Sequence, residues 1–306
     1  MSGRIVVVGS VNVDYVLTTP RIPKAGETLA GDRFAIHGGG KGANQALACA
    51  RLGGSTSLIA CVGDDNAGRE RLIELSESGI NTTPVQSVPK TSTGSAVIFV
   101  ADDGENCIGI CAGANNALDT KAVDAHSALI RDAQILLVQL ETPDSGINTA
   151  LETAHAAGLT VILDPAPARV LSDRTLSLVS ILTPNQTEAS ALSGMPCDTE
   201  EHARAVSEHL RSKGPETVVI TMGEHGALVN HQGDIVRCPA ASAGHVVDTV
   251  AAGDTFAGAL AVGLAEERPL MEAVLFANRA AAISVTRHGA GPSIPHRHEV
   301  EALEPD

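Results

Sequence analysis

The chain predicts an α/β fold: a three-layer α/β/α arrangement with a mostly parallel, doubly wound sheet, and a small second sheet laid over it as a lid. Three observations carry this expectation. Short apolar strands alternate with amphipathic segments through most of the 306 residues, as parallel strands joined by crossover helices require. The hydrophobic fraction is 43 % but the aromatic fraction only 2 %, so the interior is built from Ala, Val, Leu and Ile, which suits helices packed closely on a β-branched sheet. Two stretches, 11–37 and 93–112, break the alternation without a crossover helix.

In chain order, the first strand is Ile5-Val6-Val7-Val8. The first irregular stretch follows, with Pro20, Pro23, Gly26 and Gly31 between short extended pieces. Ala43, Ala46, Leu47 and Ala50 then give the i, i+3, i+4, i+7 stripe of a helix, closed by Gly53-Gly54. A strand over 56–61 and a helix over 66–78 lead into a hairpin, Ser95–Ala101 and Cys107–Cys111 around the turn Asp102–Asn106. Core strands are expected at 134–140, 160–164, 179–183 and 217–223, and helices at 118–131, 144–157, 199–213, 254–266 and 270–286. The expectation is one domain over 1–306, with the lid formed by about 11–37 and 93–112.

Composition excludes several classes. A formal net charge of −15 lacks the clustered Lys and Arg of a nucleic-acid footprint. Six cysteines, Cys49, Cys61, Cys107, Cys111, Cys197 and Cys238, form no C-x-x-C pair and sit in apolar segments, as reduced thiols do. No apolar run reaches membrane-spanning length, and Met1–Arg4 runs directly into the first strand without a signal h-region. A cytoplasmic location, with no membrane and no nucleic-acid partner, is therefore expected.

In an open parallel sheet, ligands bind beyond the carboxyl ends of the strands, and polar residues accumulate there. They are Asn12 and Asp14, Glu141, Asp164, and Asn185 with Glu188, while the strand before Gly223 ends in that glycine. Gly38-Gly39-Gly40-Lys41-Gly42-Ala43-Asn44 is not a Walker A loop, because Gly42 follows the lysine. It matches G-x-G-x-x-A through Gly38, Gly40 and Ala43, with Asp64 about twenty residues on, as a dinucleotide-dependent oxidoreductase would need. It also reads as a glycine loop wrapping a small polar ligand with Lys41 and Asn44 inward, or as a flexible turn. In Asp248–Thr255, small residues open a helix whose free amides attract an anion. Asp254 there is either the acceptor of a hydroxyl proton or a helix cap worth about 1 kcal/mol. His37, His245, His288, His296 and His298 show no metal-ligand spacing.

Gly39–Asn44 resembles the amino-terminal glycine signature of the ribokinase (PfkB-type) carbohydrate kinase family, and Asp248–Asp254 its A-A-G-D anion-hole signature. The similarity extends through Gly9–Asp14, Gly63-Asp64-Asp65, Gly113-Ala114-Asn115, Gln139-Leu140-Glu141, Pro165–Arg169, Thr183–Glu188 and Thr221-Met222-Gly223. It implies transfer of the ATP γ-phosphate to the 5-hydroxyl of a pentose, D-ribose, with Asp254 as base and the amides of Ala251, Ala252 and Gly253 as anion hole. By the same resemblance Asn12, Asp14, Gly40, Lys41, Asn44 and Glu141 hold the sugar. ATP lies on Asn185, Thr221, Gly223, Gly226, Gly253 and Asn278, with Asn185 and Glu188 placing Mg²⁺ through water. A monovalent cation, K⁺, sits on Asp248, Val250, Ser284, Arg287, Gly289 and Ser293, and a homodimer forms through the lid. Asn278 stands where the family often has histidine, and Asp164 where Asn also occurs. The competing readings are a same-fold kinase for 2-deoxyribose, fructose or a nucleoside such as adenosine, the oxidoreductase, and a catalytically silent sugar-binding regulator.

Overall fold

The computed structural model describes residues 3–303. Its strands are β1 (Arg4–Val8), β2 (Asn12–Thr19), β3 (Arg33–Gly39), β4 (Ser55–Ile59), β5 (Cys61–Gly63), β6 (Gln86–Val88), β7 (Gly94–Ala101), β8 (Asn106–Cys111), β9 (Ile135–Val138), β10 (Thr160–Leu163), β11 (Ile181–Leu182), β12 (Thr217–Thr221), β13 (Ala227–His231) and β14 (Asp234–Cys238). Its α-helices are α1 (Lys41–Arg51), α2 (Asn66–Glu77), α3 (Thr120–Asp124), α4 (Ser127–Arg131), α5 (Asp144–Ala156), α6 (Asp173–Leu176), α7 (Gln186–Ser193), α8 (Glu200–Arg211), α9 (Ala252–Ala265), α10 (Leu270–Ser284), α11 (Ala290–Ser293) and α12 (Arg297–Ala302). No helix among the described residues is long and apolar enough to cross a membrane.

The main sheet runs β14-β13-β12-β11-β10-β9-β1-β4. It is parallel from β12 to β4 and antiparallel at the β13 and β14 edge. Because β1 is buried on both faces, its residues are apolar without alternation. Ile5 and Val7 pack with α1, α9 and α10, whereas Val6 and Val8 pack with α4, α5 and α8 through a second cluster on the opposite face. Two layers of helices on one sheet give the expected three-layer architecture.

The second sheet has the order β3-β2-β7-β8. Its hairpin lies within one residue of the expected strands. Cross-strand pairing divides its side chains into two faces: Asp14, Ala96 and Ile110 share one, while Tyr15, Ile36 and Val97 share the other.

Four local expectations are corrected. The helix over 118–131 is two short helices, α3 and α4, broken at Ala125-His126; Val123 and Ile130, one on each piece, are both fully buried. The strand over 179–183 shrinks to the two residues of β11. Helix α7 was not expected, although Asn185 and Glu188 form a capping box at its start. Nor was the β13–β14 hairpin, closed by Gln232 and Gly233, both at positive φ, as a two-residue turn of this kind needs.

Candidate active site

The glycine loop is fed by β3, an antiparallel strand of the lid sheet, and not by a strand of the main sheet. That placement removes the structural context a dinucleotide fingerprint needs. The pairing of Asn12 with Gly39 instead brings the start of β2 against the loop. Gly40 has φ 90°, and a Cβ there would stand 2.7 Å from the Asn12 amide nitrogen, so the close approach requires glycine. From this turn α1 starts. The Lys41 amide donates to Glu141 Oε2 at 3.0 Å, and the Ser10 hydroxyl donates to the same oxygen. Asn115 accepts from the Val11 amide at 2.9 Å and donates to Asn12 Oδ1 at 2.8 Å, which fixes that side chain. Asn12, Asp14, Gly40, Lys41, Asn44 and Glu141 are thereby gathered between the lid sheet and the ends of β1 and β9.

Electrostatics in this region is set by carboxylates held away from water. Burial pushes the Asp14 carboxyl up to about 6, the Glu141 charge adds to the shift, and the Arg71 guanidinium opposes it. Asp254, the third residue of α9, is 4 % exposed. Its Oδ2 accepts from Asn44 Nδ2 at 3.0 Å, and its Oδ1 from Gln45 Nε2 at 3.2 Å. Lys41 Nζ lies 3.7 Å from Asp254 Oδ1 and 3.9 Å from Asp164 Oδ2. The Asp254 charge raises the lysine pKa well above its ordinary value, against the cost of burial, so Lys41 is a fixed cation. Burial also holds the Asp164 carboxyl above the usual carboxylate range, with Lys41 opposing and Asp254 reinforcing the shift.

Across Asp254 from the glycine loop lies a cavity of about 540 Å³, within the range of small-molecule sites. Thr221, Gly223, Gly226, Ala252, Gly253 and Asn278 line it, with Ala240–Gly244, Phe256 and Val285 among its other walls. Gly226 has φ 81°, and a Cβ there would strike the Cys238 carbonyl at 2.2 Å. Gly253 faces open space. Ala251 is left-handed, with φ 61°, and turns the chain into α9. The Ala252 amide donates to the Thr249 carbonyl at a long 3.3 Å. Asn278 donates to the Pro239 carbonyl at 2.9 Å, holding the loop that forms one cavity wall.

Asn185 and Glu188 do not line this cavity. They cap α7, each side chain bonded to the other's amide. Burial is the largest cause raising the Glu188 pKa, and its charge is felt by Lys41, so it belongs electrostatically to the site. On the far side of Ala251, Asp248 accepts from the Val250 amide at 3.0 Å and the Gly289 amide at 2.9 Å, joining two loops. Ser284 and Ser293 are fully buried beside them, and the Ser284 carbonyl accepts from the Arg287 amide at 3.2 Å. Among the described residues no group of three His, Cys, Asp or Glu forms a metal cage.

Two residues were missed by sequence reasoning. Gln45 directly follows the glycine motif and bridges Asp164 and Asp254; its signal was a polar side chain next to the small buried stripe of α1, Ala43, Ala46 and Ala48. Arg71 is buried at a core-facing position of α2, in line with Leu75, and its side chain touches Gly38 and pairs with Glu74. A charge on the buried stripe of an amphipathic helix could have marked it.

A lidded α/β sheet, with a cluster of polar side chains on one side of a buried carboxylate and an anion-attracting helix start beside a cavity on the other, is the arrangement expected of a small-molecule kinase. The pfkB family carbohydrate kinase model matches residues 2–297, and this chain belongs to that family. It is 44 % identical to the ribokinase of Haemophilus influenzae over 99 % of both chains. It is 40 % identical to the deoxyribokinase of Salmonella typhi over 95 % of both. Its structure is similar to that of Arabidopsis thaliana ribokinase complexed with ribose and ATP, with a TM-score of 0.94, 35 % identity and 99 % of both chains covered.

Proposed function

We propose that the chain is a ribokinase, transferring the γ-phosphate of ATP to the 5-hydroxyl of D-ribose to give D-ribose 5-phosphate and ADP. The observation that carries this reading is the placement of Asp254, buried, hydrogen-bonded by Asn44 and Gln45 and paired with Lys41, between the polar cluster under the lid sheet and the 540 Å³ cavity. Sugar hydroxyls meet Asn12, Asp14, Gly40, Lys41, Asn44 and Glu141, a set of donors and acceptors suited to distinguishing one polyol from another. ATP occupies the cavity along Thr221, Gly223, Gly226 and Asn278. Phosphoryl transfer is mostly positioning and charge stabilisation. Asp254 takes the hydroxyl proton, and the amides of Ala251, Ala252 and Gly253 face the charge developing on the phosphoryl oxygens. The long bond from Ala252 to Thr249 is one that an oxyanion outcompetes.

Magnesium supplies charge neutralisation on the nucleotide phosphates when bound. Asn185 and Glu188 would hold it through its own water shell, which this cation keeps. For K⁺, the carboxylate of Asp248, the carbonyls of Val250, Ser284, Arg287 and Gly289 and the hydroxyl of Ser293 are all hard oxygen donors, and they fit an alkali cation. Such an ion would fix the loop before α9 without touching sugar.

ADP formation from MgATP, with and without K⁺, tests the reading on D-ribose, 2-deoxyribose, fructose and adenosine. Expected is K⁺-stimulated turnover on ribose, and a loss in kcat of about 10²–10⁴-fold in Asp254→Asn. A variant as active as the parent removes Asp254 as base. The 40 % identity to a deoxyribokinase favours one second reading, a deoxyribose acceptor, which a higher kcat/KM on 2-deoxyribose than on ribose would establish.

A further inference from the structure

Gln45 has no part in the chemistry above, yet the carboxylate at its centre is built around it. The side chain has no solvent exposure, and every polar group it carries is committed. Its Nε2 donates to Asp254 Oδ1 at 3.2 Å and to Asp164 Oδ2 at 2.8 Å, while its Oε1 accepts from Gln139 Nε2 at 2.6 Å. The two carboxylates, which only accept, decide which way the amide points: the NH₂ group must face them, and Gln139, fully buried at the end of β9, then donates to the oxygen that is left. Three elements thus converge on an amide carried by α1: the ends of β9 and β10 and the start of α9.

A carboxylate's last torsion is broad and two-fold, so a base at a helix start has no intrinsic heading. Asp254 receives one because its two oxygens have different donors, Asn44 on Oδ2 and Gln45 on Oδ1. Lys41 cannot replace Gln45 in this, since its flexible ammonium stands at nearly equal distances, 3.7 and 3.9 Å, from Asp254 and Asp164. The planar amide, giving one N–H to each carboxylate, sets their mutual orientation and leaves the ammonium between them.

We propose that Gln45, locked by Gln139, is a positioning residue for Asp254, holding the plane of that carboxylate toward the acceptor hydroxyl. The proposal rests on the reading of Asp254 as the base.

Steady-state kinetics on D-ribose and MgATP for Gln45→Leu, Asp254→Asn and the double variant, each checked by melting, tests it. The expected result for Gln45→Leu is a kcat lower by about 10–100-fold, as misaimed reacting groups give, with both KM values within about 3-fold of the parent. In the double variant the second substitution costs no more than about 2-fold beyond Asp254→Asn alone, because there is no base left to aim. Gln139→Met, alone and with Asp254→Asn, makes the same comparison should Gln45→Leu not fold, with a smaller expected fall of about 3–10-fold. A Gln45→Leu chain at full kcat, one altered mainly in KM, or one slowing the double variant by the same factor as the parent overturns the positioning role alone. An Asp254→Asn chain as active as the parent overturns the base assignment, and the positioning role with it.

Discussion

At the scale of single residues, the site is governed by what burial does to carboxylates. Asp14 is pushed up to about 6 by burial and the Glu141 charge against the pull of Arg71. Its folded value exceeds the unfolded one, so the contribution of this one group to stability is fully present below the unfolded pKa near 4 and is lost as pH rises through about 6. Asp14→Asn should therefore stabilise the free protein at pH 7–8, by on the order of 1 kcal/mol after allowance for partial exposure, read as a rise in melting temperature. Sugar hydroxyls donate best to the ionised carboxylate. KM for the sugar should accordingly fall between pH 5 and 7 and level off above, and this dependence should disappear in Asp14→Asn. A KM that stays flat from pH 5 to 7 in the parent would contradict a sugar contact by Asp14. The sequence made Asp14 legible as a polar residue beyond the first strand. Its perturbation was not legible, because burial in the folded chain decides it, with Glu141 adding and Arg71 opposing, both distant in sequence.

At the scale of elements, the proposed function gives one motif a second role beside the one the fold shows. Asn185 and Glu188 were read from sequence as the placement of Mg²⁺, and the structure shows them also as a capping box on α7. Thr199 caps α8 by a single side-chain bond, accepting from the His202 amide at 3.1 Å, and has no part in the chemistry proposed. Each cap is worth about 1 kcal/mol, so Asn185→Ala and Thr199→Ala should lower the melting temperature by similar amounts, about 2–4 °C. Asn185→Ala alone should raise the Mg²⁺ concentration needed for half-maximal turnover, while Thr199→Ala keeps the parent's requirement. Equal Mg²⁺ dependence in both would reduce Asn185 to a cap. Long periodic helices and apolar strands were legible because burial on one stripe or both faces writes itself into spacing. Helix α7 and the β13–β14 hairpin were not, since short elements are specified by caps and turns such as Asn185 and Gln232-Gly233, whose residues serve equally well in loops. The break between α3 and α4 has no glycine or proline to announce it.

At the scale of the molecule, the three-layer architecture followed from alternation alone, whereas the meeting of β2, β3, β7 and β8 in one sheet is a long-range event that spacing hints at only through the missing crossover helices. That sheet also bears on association. Two copies each carrying a formal charge of −15 repel, so a stable pair needs a surface free of charge. The lid sheet supplies one: its four strands contain two Asp, Glu, Lys or Arg residues, Asp14 and Arg33, and both pair toward the Ala96 and Ile110 face. On the opposite face Phe34, Ile36 and Val97 are 60 %, 59 % and 46 % exposed, an apolar patch of the kind that marks an interaction surface. We propose that two lids pair through it. Light scattering should give about twice the 31.3 kDa chain mass, with association strengthened by added salt as the like charges are screened. Ile36→Glu and Val97→Lys should each give a monomer, because a desolvated charge would then sit in the apolar patch. A parent chain that is monomeric at working concentration would overturn the pairing, and a dimer that survives both substitutions would move the interface off the lid.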